Sequence, residues 1–226
     1  MIIILIGIID SGLGAINVLN NLIKQKKYNE YILILDYLYN PYGNKSEEVL
    51  YNRLLYLIKI LKNKGCKKII IACNTLSIVA FKYNVLNVIT PLSYFKKEIS
   101  NYNNGLLLAT KYTIDSNYYK CDNSMPSDLV NYIEGKNSKN INEYNNIINN
   151  YDVLLLGCTH YGLIKNKFIN KKIVDSAKVL ADNFNLKSDK LIVNIYVTNI
   201  NNSIINHINY YLHINRYIIK HLDISI

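Results

Sequence analysis

The chain has 226 residues, 50% hydrophobic and 11% aromatic, and its 26 Lys and Arg against 16 Asp and Glu give a net charge of +10. That length and apolar content suit one large or two modest globular domains and exclude a disordered chain. The apolar opening Met1–Ile9 lacks a basic leader and stops at Asp10, and no later apolar run reaches membrane length, so neither an export signal nor a membrane span is expected.

Taken in chain order, strands and helices alternate. Met1–Ile9 reads as a buried strand, Asp10–Gly14 as a turn, and Ala15–Lys26 as a helix with Ile16, Leu19 and Ile23 on its apolar face. Tyr31–Leu35 is the next strand, ending at Asp36 and followed by a loop through Pro41-Tyr42-Gly43. Ser46 is placed as the N-cap of a helix to Lys64, with Glu47 and Glu48 in its first turn. Ile69–Ala72 is a third strand, a helix follows Asn74 to Tyr83, and Val85–Ile89 reads as a fourth strand.

A second series begins near Asn104, with a Leu106–Ala109 strand, a Thr113–Tyr119 helix, a Met125–Glu134 segment and a Val153–Leu156 strand. Lys136–Asn150 is Asn-rich and reads as a weak helix or a loop. An Ile192–Tyr196 strand and the tail from Ser203 complete the chain. Short links between alternating elements predict an α/β fold with two pseudo-symmetric, doubly wound domains on parallel central sheets, the active site lying between them. The expected division is 1–90 plus 196–226 for the first domain and 91–195 for a shortened second.

Two stretches share one design. Lys68-Ile69-Ile70-Ile71-Ala72-Cys73-Asn74-Thr75 and Val153-Leu154-Leu155-Leu156-Gly157-Cys158-Thr159-His160 each place a thiol and polar groups at the carboxyl end of an apolar strand. Ligands bind at that edge of an open α/β sheet. Two opposed thiols can take a proton from one face of a carbon and return one to the other, which is the chemistry of a racemase. Cys66 and Cys121 lack polar neighbours and read as packing residues, as do His207, His213 and His221 in the amphipathic tail. Apart from Cys158-x-His160 there is no short ligand pair, so no metal is expected. The lysines are dispersed among asparagines, which speaks against a nucleic-acid partner. Without an export signal the four cysteines are expected to be reduced in a cytoplasm.

Ile8-Ile9-Asp10-Ser11-Gly12-Leu13-Gly14, Asn40-Pro41-Tyr42-Gly43-Asn44-Lys45-Ser46, Ile71-Ala72-Cys73-Asn74-Thr75 and Leu156-Gly157-Cys158-Thr159-His160-Tyr161 resemble, in order, the signature blocks of glutamate racemases. Thr110, Thr113-Ile114, Asp175-Ser176 and Tyr196-Val197-Thr198 also fit. The resemblance implies a cofactor-independent isomerase with Cys73 and Cys158 as the base and acid pair. It further implies that Asp10 and His160 assist proton transfer. Asp10, Ser11, Tyr42, Gly43, Asn74, Thr75, Thr159 and His160 would then contact glutamate. D-glutamate for peptidoglycan, and so cell-wall biogenesis and cell shape, is the implied product use, and a homodimer stays open.

The chain departs from the family pattern in a shorter second half, Cys121-Asp122 in place of Cys-Pro, Ala109 before Thr110, and Gly162 where Pro is common. Glu134 matches a family carboxylate too loosely to carry a role over. The alternatives are an aspartate racemase of the same superfamily, or a descendant that binds a ligand or nucleic acid without turnover.

Overall fold

The computed structural model describes residues 4–136 and 141–224; residues 1–3 of the first expected strand and 137–140 of the Asn-rich stretch lie outside the described residues. The chain begins β1 (Leu5–Asp10), α1 (Gly14–Lys24), β2 (Glu30–Leu35), α2 (Glu47–Asn63), β3 (Lys68–Ile71) and α3 (Asn74–Lys82). After α4 (Leu92–Ile99) come β4 (Gly105–Ala109), α5 (Lys111–Asp115), β5 (Ser124–Pro126), α6 (Leu129–Ile133), α7 (Asn145–Ile148) and β6 (Val153–Leu156). It closes with β7 (Lys172–Asp175), α8 (Ser176–Asp182), β8 (Ile192–Val197), α9 (Asn202–Tyr211) and β9 (Ile218–His221).

The strands form two sheets, ordered β3-β1-β2-β8-β9 and β5-β4-β6-β7, with every named pairing parallel. Strands buried on both faces need continuous Ile, Leu and Val, which is how β1, β3, β4 and β6 read. The order third, first, second recurs: β3-β1-β2 in one sheet is matched by β6-β4-β5 in the other. Each sheet therefore changes its winding direction beside its first strand. A crevice opens at such a switch point, outside the carboxyl ends of the strands. Asp10 and Cys73 stand at that point in the first sheet, Thr110 and Cys158 in the second.

The two sheets share a core. Ile8, Ile16 and Leu33 from the first half and Leu108, Leu154 and Leu180 from the second belong to one buried cluster. Two further clusters, one around Leu54, Leu57 and Ile71 and one around Phe95, Leu107 and Leu155, fill the outer faces.

Several expectations change in detail. Val85–Ile89 is not a strand: it makes one parallel bridge, Ile70 to Ile89, between left-handed Asn84 (φ 52°) and Asn87 (φ 62°) that prevent extended backbone. The Thr113–Tyr119 helix is replaced by the shorter α5, and Asn117 (φ 50°) turns the chain out of helical geometry just beyond it. Met125–Glu134 divides into strand β5 and helix α6. Beyond residue 140 the Asn-rich stretch forms a 3-10 turn, Ile141–Tyr144, and the short α7. Ser46 does cap α2, its hydroxyl accepting from the Val49 N–H at 3.4 Å, with Glu47 and Glu48 in the first turn.

Candidate active site

In the first half the turn after β1 folds back on Asp10, whose Oδ1 accepts the Gly12 N–H at 3.1 Å and stands 3.5 Å from the Ser11 hydroxyl. Gly14 is required by close approach: a Cβ there would lie 2.4 Å from Thr159 Oγ1 and 2.6 Å from Asp10 Oδ2. Cys73 occupies the position before α3, where the Leu76 and Thr75 N–H groups point at its sulfur. Burial, reinforced by the Asp10 carboxylate, nevertheless holds the Cys73 thiol well above the usual thiol range.

In the second half Cys158, Thr159 and His160 follow β6 and are all buried. Thr159 Oγ1 donates to Asp10 Oδ2 at 3.1 Å, tying the two corners together. His160 Nδ1 lies 4.0 Å from Cys158 Sγ and 3.8 Å from Asp10 Oδ1, while its Nε2 is 2.8 Å from Glu134 Oε1. Burial alone would push the imidazole down. Cys158, Glu134 and Asp10 together outweigh it and hold His160 well above its ordinary value. Asp10, in turn, is raised by burial despite the His160 charge beside it.

Glu134 is the residue the sequence reading left without a role. It ends α6, and its carboxylate accepts from His160, from the Leu13 N–H at 3.0 Å and from the Tyr37 hydroxyl at 2.6 Å. Burial opposes its charge, but His160 and these donors bring its pKa below the usual carboxylate value. The segment before it has no clean periodicity, so only the family resemblance points to it. Asn17 was also missed: its amide donates to the Thr159 carbonyl at 2.9 Å and to Asp175 Oδ2 at 3.1 Å, bracing the second corner from α1.

Asn74 and Thr75 open α3 beside Cys73. Thr75, Thr110 and Thr113 form a hydroxyl cluster with separations of 3.0, 3.0 and 3.4 Å, which joins the two halves. Gly43 lies against Thr110, and both line a cavity of about 360 Å³ together with Pro41, Asn44, Ser127 and Asn131. Tyr42 is different. Its hydroxyl is turned away to donate to Asp36 Oδ2 at 2.7 Å, where Arg53 also binds at 2.7 and 2.9 Å. Asp10, Ser11, Thr159, His160 and Cys158 are thus linked by direct contacts, and Asn74 and Thr75 adjoin Cys73 at the start of α3, whereas the Tyr42 hydroxyl is committed to Asp36. Cys66 lies elsewhere, in the core cluster around α2, its thiol pushed up to about 11 first by burial. Among the described residues no three His, Cys, Asp or Glu side chains gather to hold a metal ion. No helix among them is long and apolar enough to cross a membrane.

No family model matches the chain. It is, however, 30% identical to a glutamate racemase of Buchnera aphidicola subsp. Schizaphis graminum, over 71% of this chain and 73% of the relative. The chain belongs to the glutamate racemase family. A glutamate racemase of Fusobacterium nucleatum is 29% identical over 82% of this chain and 84% of its own length. The crystal structure of glutamate racemase from Francisella tularensis in complex with D-glutamate superposes with a TM-score of 0.78 at 26% identity, covering 97% of each chain. Glutamate racemases are isomerases, and the two parallel sheets described above are the architecture that such structures share.

Proposed function

We propose that this chain interconverts L- and D-glutamate by a two-thiol acid/base mechanism in the cytoplasm, without a cofactor, and supplies D-glutamate for peptidoglycan. One observation carries the reading: each sheet's switch point bears a thiol, and the two corners are tied by Thr159 to Asp10 at 3.1 Å, with His160 4.0 Å from Cys158 Sγ and 3.8 Å from Asp10. The D-glutamate in the Francisella complex supports the choice of substrate.

The α-proton of an amino acid is a weak acid, so a base alone is insufficient. Charge that develops on the α-carbon and its carboxylate needs donors fixed in advance in a water-poor site. The Ser11, Thr75 and Thr159 hydroxyls and the N–H groups at the start of α3 are such donors, and their surroundings are buried. In one direction the Cys158 thiolate breaks the α-C–H bond of L-glutamate and keeps the proton. The Cys73 thiol then delivers its own proton to the opposite face, giving the D-enantiomer. The reverse reaction exchanges the roles. His160, 4.0 Å from Cys158 Sγ, is placed to stabilise that thiolate and to return a proton to it, and Asp10 stands beside Cys73 as its partner.

The test is turnover of purified protein in deuterated water with L- and D-glutamate, and with both enantiomers of aspartate beside them. Racemisation of glutamate with solvent deuterium at the α-carbon is expected, with aspartate turned over far more slowly. Absence of exchange on both amino acids, or a preference for aspartate, would overturn the proposal.

A further inference from the structure

The amide of Asn74 is held from both ends by the other half of the molecule. Its Oδ1 accepts the Tyr119 hydroxyl at 2.5 Å, and its Nδ2 donates to Ser176 Oγ at 3.0 Å. Asn74 is 2% exposed, Tyr119 3% and Ser176 0%, so these bonds are shielded from solvent. An amide side chain can turn over, exchanging its acceptor for its donors. Here the two hydroxyls fix the plane of the amide, and in the arrangement present Tyr119 donates to Oδ1 while Ser176 accepts from Nδ2. Nδ2 carries two hydrogens and Ser176 takes one of them. The other has no acceptor among the described residues and is free for an oxygen of a bound ligand. Asn74 directly follows Cys73 in the chain, which puts this clamp beside a reacting thiol.

Tyr119 and Ser176 belong to the half that carries the second sheet, whereas Asn74 opens α3 beside the first. We infer that Tyr119 is a positioning residue, with Ser176 as its counterpart: together they turn the Asn74 amide so that Nδ2 presents a hydrogen to the glutamate carboxylate. The inference rests on the racemase reading above. The amide is set by contacts across the meeting of the two halves, so recognition of the carboxylate depends on that interface.

Tyr119→Phe removes the hydroxyl and keeps the ring, which packs edge-on against Phe95 and Tyr118 with centroids 5.3 Å apart in each pair. A misaligned binding group weakens ground state and transition state alike, which raises KM and spares kcat. Tyr119→Phe is therefore expected to raise KM for both enantiomers roughly fivefold to tenfold, with kcat within about twofold of the parent. Asn74→Ala should do the same, and the double variant should be no worse than Asn74→Ala alone. An unchanged KM in folded Tyr119→Phe, or effects that multiply in the double variant, overturns the inference. If circular dichroism shows Tyr119→Phe unfolded, Ser176→Ala decides by the same split of KM from kcat. A parent protein that fails to racemise glutamate removes the underlying reading itself, an outcome distinct from an active parent with an indifferent Tyr119.

Discussion

His160 meets Cys158 and Asp10 on one side and Glu134 on the other, so its charge is the point at which acid/base chemistry and architecture join. With its folded pKa raised well above the ordinary 6.5, its contribution to stability is complete below about 6.5 and is lost as pH rises through the folded value. Glu134→Gln removes one of the charges that outweigh burial and so lowers that folded value. The alkaline limb of kcat with L-glutamate is then expected to move to lower pH, because an imidazolium beside Cys158 is lost earlier. A pH–rate profile of the variant that superposes on the parent's would remove Glu134 from this role. The Asp36–Arg53 pair is a contrasting case, a buried ion pair that touches neither thiol directly. Arg53 holds Asp36 at 2.7 Å, while Tyr42 and Thr198 donate to the same carboxylate. Arg53→Ala leaves that carboxylate without its cation and should cost about 3–5 kcal/mol of stability in urea unfolding. A loss under 1 kcal/mol would show that the remaining donors suffice.

At the scale of elements, what could be read from sequence followed the strength of each element's own pattern. β1, β2, β3, β4 and β6 are Ile- and Leu-rich runs buried along almost their whole length, and each was legible. β5, β7 and β9 have three or four residues apiece and sit at sheet edges, where pairing and not composition defines the strand. Both thiol corners were legible because they follow strong strands. Glu134 and Asn17 were not, since each acts across the interface of the halves, on Leu13 and Thr159, at sequence separations of 121 and 142 residues. The β1–α1 turn gives a test of how tightly an element constrains the site. Gly14→Ala puts a Cβ within 2.8 Å of both Asp10 carboxylate oxygens, so Asp10 must move. A displacement of about 1 Å at a reacting group costs roughly a hundredfold, and kcat should fall by at least that factor. Ser46→Ala, which removes the cap of α2 far from the thiols, should instead cost about 1 kcal/mol of stability and leave kcat at the parent value. Near-native kcat in Gly14→Ala would mean that the corner gives way without cost.

At the scale of the whole molecule, the repeated strand order makes the site two-sided: each half contributes one thiol at its switch point, and polar contacts such as Thr159 to Asp10 and Thr75 to Thr110 lock the halves together. A single thiol would return a proton to the face it came from, so inversion needs both. Cys73→Ser and Cys158→Ser should each reduce racemisation by about 100-fold to 10,000-fold, because a serine hydroxyl is far less acidic than a thiol and cannot replace an acid/base group. The two variants should differ, however, in what they retain. Under the proposed mechanism Cys73→Ser keeps the thiol that takes the α-proton of L-glutamate, and Cys158→Ser the one that takes that of D-glutamate. Given substrates whose leaving group departs after one deprotonation, each variant should still eliminate, with opposite enantiomer preference. Elimination rates on both enantiomers, measured for both variants, test this directly. The same preference in both variants, or near-native racemisation in either, would mean that the two halves do not divide the faces of the substrate between them.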